Sequence, residues 1–315
     1  MFIGIDIGGT KCAVTLGSSE PKIIEKIRFD TESCEKTLER IYRAVGELMR
    51  DGVRGIGVSC GGPLDERRGV IMSPPNLPGW DDVHITEELT RRFGVPAALC
   101  NDANASAIAE YRFGAGKGSQ NMIFLTFGTG LGAGIIINGR LYSGSSGMAG
   151  EVGHIRLAED GPVGYGKRGS FEGFCSGGGI AQLGRSLAEK RLREGSPAAF
   201  CKTESELSAV TAKRLAEYAK GGDPDARSVF DLCAEKLGFG LSVLVDIINP
   251  DIIVIGSIYE RCEELLAPRM NEILKKEALA PSLAVCRVVP AALGDGIGDL
   301  AALSVAIEKF GGSNI

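Results

Sequence analysis

The apolar positions of this chain change period within its first sixty residues. FIGID (2–6), CAVTL (12–16) and KIIEKIRF (22–29) are short runs parted by turns rich in Gly, Ser and Pro, and they read as three successive strands. Three strands in succession predict a meander. From residue 34 the spacing lengthens: Leu38, Ile41, Val45, Leu48 and Met49 recur as on one face of a helix, and Gly52 follows as a stop. VRGIGVS (53–59) then returns to the pattern of a buried strand.

The same succession comes back later. NMIFLTF (121–127), a glycine turn, GAGIIIN (132–138), the pair Asn138-Gly139 that favours a type I′ hairpin, and RLYSG repeat strand, turn and strand. A helical stretch over roughly Asp225 to Ile248 and the β-branched run DIIVIG (251–256) then repeat helix followed by strand. The echo predicts an α/β protein of two related domains with a cleft between them. The boundary is expected in FGAGKGS (113–119), giving a small N-terminal domain over 1–115 and a larger one over 116–296. A last helical stretch, within about 297–315, is expected to return and complete the first domain.

Composition excludes several classes. A chain of 315 residues, 44% apolar, can bury two cores. With 35 basic and 40 acidic side chains intermixed and a net charge of −5, it carries no electrostatic footprint for nucleic acid. The apolar run GFGLSVLVDIINP (238–250) is too short for a bilayer and contains Asp246, so no membrane span is expected. The N-terminus lacks a basic leader and cleavage site, which predicts a cytoplasmic protein. Nine scattered cysteines without a CxxC pair predict neither a disulfide framework nor a four-cysteine zinc site.

The chemistry concentrates in three segments. GIDIGGTK (4–11) sets Asp6 at a strand end, then Gly8, Gly9, Thr10 and Lys11. Glycines admit phosphoryl oxygens to backbone N–H groups, a hydroxyl can donate to the same oxygens, and a carboxylate just behind can hold Mg²⁺ through water. FGTGLGAG (127–134), with Gly128, Thr129 and Gly130, offers a second such turn, Thr129 standing for Thr10, so that two turns could clamp the phosphates of ATP. In LCNDANASAIAEYRFGAG (99–116), Asn101 and Asp102 stand between a strand and a helix. Either could cap that helix; Asp102 could also be the general base for an attacking hydroxyl, and the two roles can coexist.

DIGGTK, NDANASA, GTGLGAG and GEVGH, in this order and spacing, resemble the ROK family of sugar kinases and sugar-responsive repressors, within the actin-like and hexokinase-like (ribonuclease H-like) ATPase fold. The resemblance covers essentially the whole chain. It implies an ATP- and Mg²⁺-dependent kinase acting on a hexose hydroxyl, usually that on C6, in a cleft that closes on the sugar. Asp102 matches the family's base; Asn101, Glu151, His154 and Glu172 match its sugar contacts, and Gly61, Gly62 and Asn76 lie in segments that line the sugar pocket in relatives. INPDIIVIGSIYE resembles the adenine-side segment, with Gly256 kept and Ser257 where relatives usually have a second glycine. A homodimer is also implied.

Relatives commonly carry a zinc motif, CxCGxxGCxE, with a histidine as fourth ligand. Here the matching stretch is VGYGKRGSFE, so Val163, Tyr165 and Ser170 replace the cysteines while Gly166, Gly169 and Glu172 remain. Valine and tyrosine cannot replace thiolates at a tetrahedral zinc, and Cys175 and Cys201 lack the spacing to converge with His154, so no structural zinc is expected. Tyr165 and Phe171 are expected to fill the metal's place. Glucose is the default acceptor, with N-acetylhexosamine, fructose and allose as alternatives. The rivals are a ROK-type regulator, which would carry an added helix-turn-helix that this sequence lacks, and a sugar sensor without catalysis, against which Asp6, Thr10, Asp102 and Thr129 argue.

Overall fold

The computed structural model describes residues 1–20 and 22–312; residues 313–315 of the expected C-terminal segment lie outside the described residues. Strands β1 (Phe2–Ile7), β2 (Lys11–Gly17) and β3 (Ile23–Asp30) form the meander, and α1 (Cys34–Leu48) leads to β4 (Ile56–Cys60). The pair β5 (Leu64–Asp65) and β6 (Val70–Ile71) precedes α2 (Ile85–Phe93), β7 (Ala97–Asn101) and α3 (Asp102–Phe113). Next come β8 (Met122–Phe127), β9 (Leu131–Ile137), β10 (Arg140–Leu141), β11 (Val163–Gly164) and β12 (Lys167–Arg168). Helices α4 (Phe171–Phe174), α5 (Gly177–Arg193), α6 (Ala212–Lys220) and α7 (Pro224–Ile248) follow. The chain ends with β13 (Ile252–Ile255), α8 (Ile258–Glu277), α9 (Ala280–Val285), β14 (Arg287–Pro290) and α10 (Ile297–Phe310).

The two large sheets run β3-β2-β1-β4-β7 and β10-β9-β8-β13-β14. They match strand for strand. In the first, β1 pairs antiparallel with β2 and parallel with β4, which pairs parallel with β7; in the second, β13 lies parallel to both β8 and β14. Helix α1 stands between the third and fourth strands of the first run as α7 does in the second, so the periodic echo in the sequence is a repeated topology. Ile41, Val45 and Leu48 of α1 are buried, as their spacing requires, and the exposed strand β3 carries Glu25, Lys26 and Arg28.

The chain groups into two units: residues 1–118 with 134–149 and those from 292 on, and residues 119–133 with 150–291. The sequence reading set 134–149 in the second domain; it groups with the first because Leu141 packs beside Ile108, Ala109 and Val305. Helix α10 is apolar on nearly every side, with Ala301 through Ile307 buried, and it lies on β1, β4 and α3 within the first unit.

Glu110 of α3 is 0% exposed, and its carboxylate is held by three backbone donors. Ala115 N–H reaches Oε2 at 2.7 Å, while Ala292 and Leu293 N–H reach Oε1 at 3.0 and 2.9 Å. This one side chain ties the segment leaving α3 to the segment entering α10. Glu110→Ala would leave three part-buried donors without their partner, and denaturant unfolding should show a loss of about 3 kcal/mol. Glu110→Gln, which keeps one acceptor oxygen, should lose less.

Candidate active site

Register decides which residues of the first unit meet. Ile7 pairs with Cys60 and Cys60 with Asn101, so Gly8, Gly61 and Asp102 leave the sheet side by side at the carboxyl ends of parallel strands. Ligands of open α/β sheets bind at such ends. Asn101, with extended backbone, is the N-cap of α3: its side-chain oxygen accepts the N–H groups of Ala103 (3.0 Å) and Asn104 (3.5 Å). The cap role left open by the sequence therefore falls to Asn101. Asp102 Oδ1 accepts Ala103 N–H at 2.8 Å, while a side chain placed on Gly61 would lie 3.9 Å from Oδ2, so the glycine keeps that oxygen uncovered.

Asp102 is open to solvent, yet burial raises its carboxyl pKa, against the lowering effect of the Ala103 N–H. Both hold for a carboxylate whose tip meets water while protein on its other sides weakens bulk solvation. Asp6, at the end of β1, is pushed up to about 6 by burial, then by the carboxylates of Asp299 and Asp102, with Lys26 and Arg28 opposing. Lys26 is ion-paired with Asp299. Thr10 and Lys11 are exposed. Gly9 touches the loop of exposed Asn76, for a side chain there would fall 2.7 Å from Asn76 O.

The second unit repeats the arrangement. Leu125 pairs with Ile255 and Ile255 with Pro290, so the turn Gly128-Thr129-Gly130 and Gly256 lie at one end of their sheet. The turns differ in detail: Gly8 N–H closes on Lys11 O, but Gly128 N–H closes on Gly130 O. Thr10 is the third residue after its strand and Thr129 the second, so the two threonines are offset by one position from the expected equivalence. Glu172 Oε2 accepts Leu131 N–H at 3.0 Å, and a side chain on Gly130 would fall 2.7 Å from that oxygen. Glu151 and His154, both exposed, flank Val152 and Gly153 in one short turn, and a side chain on Gly153 would meet Glu172 Cβ at 3.2 Å.

The donors of the 151–175 segment do not suit zinc. Val163 offers none, and buried Ser170 is engaged: its Oγ caps α4 by accepting Gly173 N–H at 3.0 Å and donates to Gly164 O at 3.4 Å. Strands β11 and β12 close a hairpin through Tyr165 and Gly166, both with positive φ. Lys167 Nζ donates to His154 O at 2.6 Å, and Phe171 N–H to Ile155 O at 2.7 Å. Phe171 fills the interior as expected, at 0% exposure. Tyr165 does not: it stands 75% exposed at the hairpin tip, its ring centroid 6.4 Å from that of His154 in an edge-to-face arrangement. A two-residue hairpin turn points its side chains outward, which the filler reading overlooked.

Two neighbours, Gly177 and Glu66, went unread in the sequence, and a third, Ser257, was marked only as a departure from the family pattern. Gly177 N–H donates to Gly128 O at 2.8 Å, joining the start of α5 to the second glycine turn; SGGG before a helical run was the available signal. Ser257 holds φ 62° at the start of α8, its hydroxyl 3.6 Å from where a side chain on Gly128 would begin. Glu66 accepts Asn101 N–H at 2.7 Å, and nothing in PLDERRG announces it.

Paired sheets of repeated topology, each ending in a glycine turn beside polar residues, define the actin-like ATPase fold. The chain belongs to the ROK family, whose model matches residues 2–309. It is 32% identical to a glucokinase of Thermotoga maritima, across 99% of this chain and 98% of that one. Among solved structures it is similar to a ROK hexokinase from Thermus thermophilus (30% identity, TM-score 0.79, 98% of each chain). A ROK family glucokinase from Streptomyces griseus in complex with glucose and AMPPNP matches equally well (30%, TM-score 0.78, 98% of this chain and 99% of that one). Within the family this chain is a sugar kinase. No described helix is long and apolar enough to cross a membrane.

Proposed function

We propose that the chain transfers the γ-phosphoryl group of ATP to a hexose hydroxyl, C6 of glucose foremost, with Asp102 as general base. The observation that carries this reading is the freedom of Asp102: Asn101 caps the helix, and Gly61 leaves Oδ2 uncovered at the strand ends. Asp102 takes the proton as the hydroxyl attacks, since phosphoryl transfer asks the protein chiefly for positioning and charge stabilisation. The resemblance gives Asn76, Asn101, Glu151, His154 and Glu172 the task of binding the sugar hydroxyls. Backbone N–H groups in the turns that open at Gly8 and Gly128 hold the phosphates, those of Gly8 and Gly128 themselves being spent on Lys11 O and Gly130 O, with Gly256 on the adenine side. Asp6, half-buried with neighbouring carboxylates, suits a cation: Mg²⁺ held there through water would neutralise phosphate charge.

A panel of glucose, mannose, fructose, allose, N-acetylglucosamine and N-acetylmannosamine, assayed by coupled ADP release, tests the reading. Glucose is expected to give the highest kcat/KM; a preferred acetamido sugar would reassign the acceptor, and no turnover with any hexose would favour a sensor. Gel filtration is expected to give a dimer. The donor chemistry of Val163, Tyr165 and Ser170 supports a zinc-free loop. Metal analysis of purified protein should find well under one zinc per chain, and a stoichiometric zinc would overturn that reading.

A further inference from the structure

We infer that Glu66 is a positioning residue for phosphoryl transfer: by accepting the Asn101 N–H it fixes the strand end from which Asp102 emerges. The inference rests on Asp102 being the base. Strand β7 is the edge of its sheet, and its last N–H, that of Asn101, is taken by Glu66 Oε1 at 2.7 Å across 35 positions of sequence. A hydrogen bond to an ionised carboxylate is shorter and stronger than one between neutral groups. Asn101 is thereby held twice, by its N–H and by its capping Oδ1, leaving its Nδ2 facing the space beside Gly62.

The surroundings of Glu66 fit this task. Asn104, 2% exposed, directs its Nδ2 to the same Oε1 at 3.5 Å while its Oδ1 stays unpaired, so its amide orientation follows Glu66. The carboxylate also stands near the buried Cys100 thiol, whose pKa is raised by burial first and by the Glu66 charge second. The adjoining arginines are engaged elsewhere: Arg67 donates to Ser145 O and Arg68 pairs with Asp65. Glu66 therefore serves the peptide groups and side chains around Asp102 instead of an ion pair. Freed from it, the first turn of α3 could drift, and a displacement of about 1 Å can cost about 10²-fold in rate.

The test is steady-state kinetics of the full chain with glucose and Mg²⁺–ATP for Glu66→Ala, Glu66→Gln and Glu66→Asp, with melting curves for each. Glutamine keeps an acceptor oxygen at the same reach; aspartate is one methylene short. Glu66→Ala and Glu66→Asp should lower kcat by about 30–100-fold with the KM for ATP within about threefold, whereas Glu66→Gln should keep at least about a third of kcat. Should Glu66→Ala fail to fold, the contrast between glutamine and aspartate decides alone. A kcat within threefold of wild type for the alanine or aspartate variant, or a glutamine variant as slow as aspartate, overturns the inference. Asp102→Asn measured alongside separates the two claims: if it retains full rate, the base assignment fails whatever Glu66 does.

Discussion

Asp102→Asn is expected to lower kcat by about 10³-fold, within the range a general base contributes, without lowering thermal stability. The two effects separate because the cap of α3 belongs to Asn101, whose oxygen already holds the N–H groups of Ala103 and Asn104. Asparagine at 102 keeps an oxygen for Ala103 N–H and removes only the proton acceptor. Burial raises the Asp102 pKa, so the acid limb of the wild-type kcat/KM profile should lie above the ordinary aspartate value of about 3.9. Retention of activity within a few-fold in the asparagine variant would refute the assignment, and a large fall in melting temperature would show that Asp102 is structural.

Asp6→Asn should raise stability outright. Its pKa is raised from 3.8 to about 6, so the native fold disfavours the charge. Below about pH 4 the carboxyl is neutral in both states and nothing is lost; the penalty grows between pH 4 and 6 and is complete above. At pH 8 with EDTA, the asparagine variant should therefore be more stable by up to about 3 kcal/mol, and near pH 4 the gain should vanish. Activity should meanwhile fall by about 10²-fold, since charge stabilisation at the phosphates is weakened. Denaturant titrations at the two pH values check the sign; an equal gain at both would mean the shift is not electrostatic.

Much of this architecture was legible because period is a local property. The meander, α1, α7 and the place of α10 follow from spacing within windows of a few turns, and the doubled strand order is visible in two matching runs. What escaped was non-local. Glu66 reaches Asn101 over 35 positions, and Leu141 joins the first unit through packing on α3, neither of which leaves a mark in the intervening residues. Asn101 and Asp102 are both short polar residues before a helix, so only backbone geometry could decide the cap. Tyr165 was misread as a filler because its size suggested an interior place, whereas the tight hairpin turn sets it outside.

Gly9 and Gly130 each touch a residue of the sugar segment in their own unit, Asn76 in one and Glu172 in the other, at distances no side chain can share. The turns proposed to hold phosphate and the segments proposed to hold sugar are thus not independently mutable. Adding even a methyl group at either glycine must displace a candidate sugar contact, and reshaping the loop of Asn76 or the position of Glu172 must be absorbed by a phosphate turn. Variants selected for a new sugar should consequently gather compensating changes around residues 8–11 and 128–131, far from the altered hydroxyl.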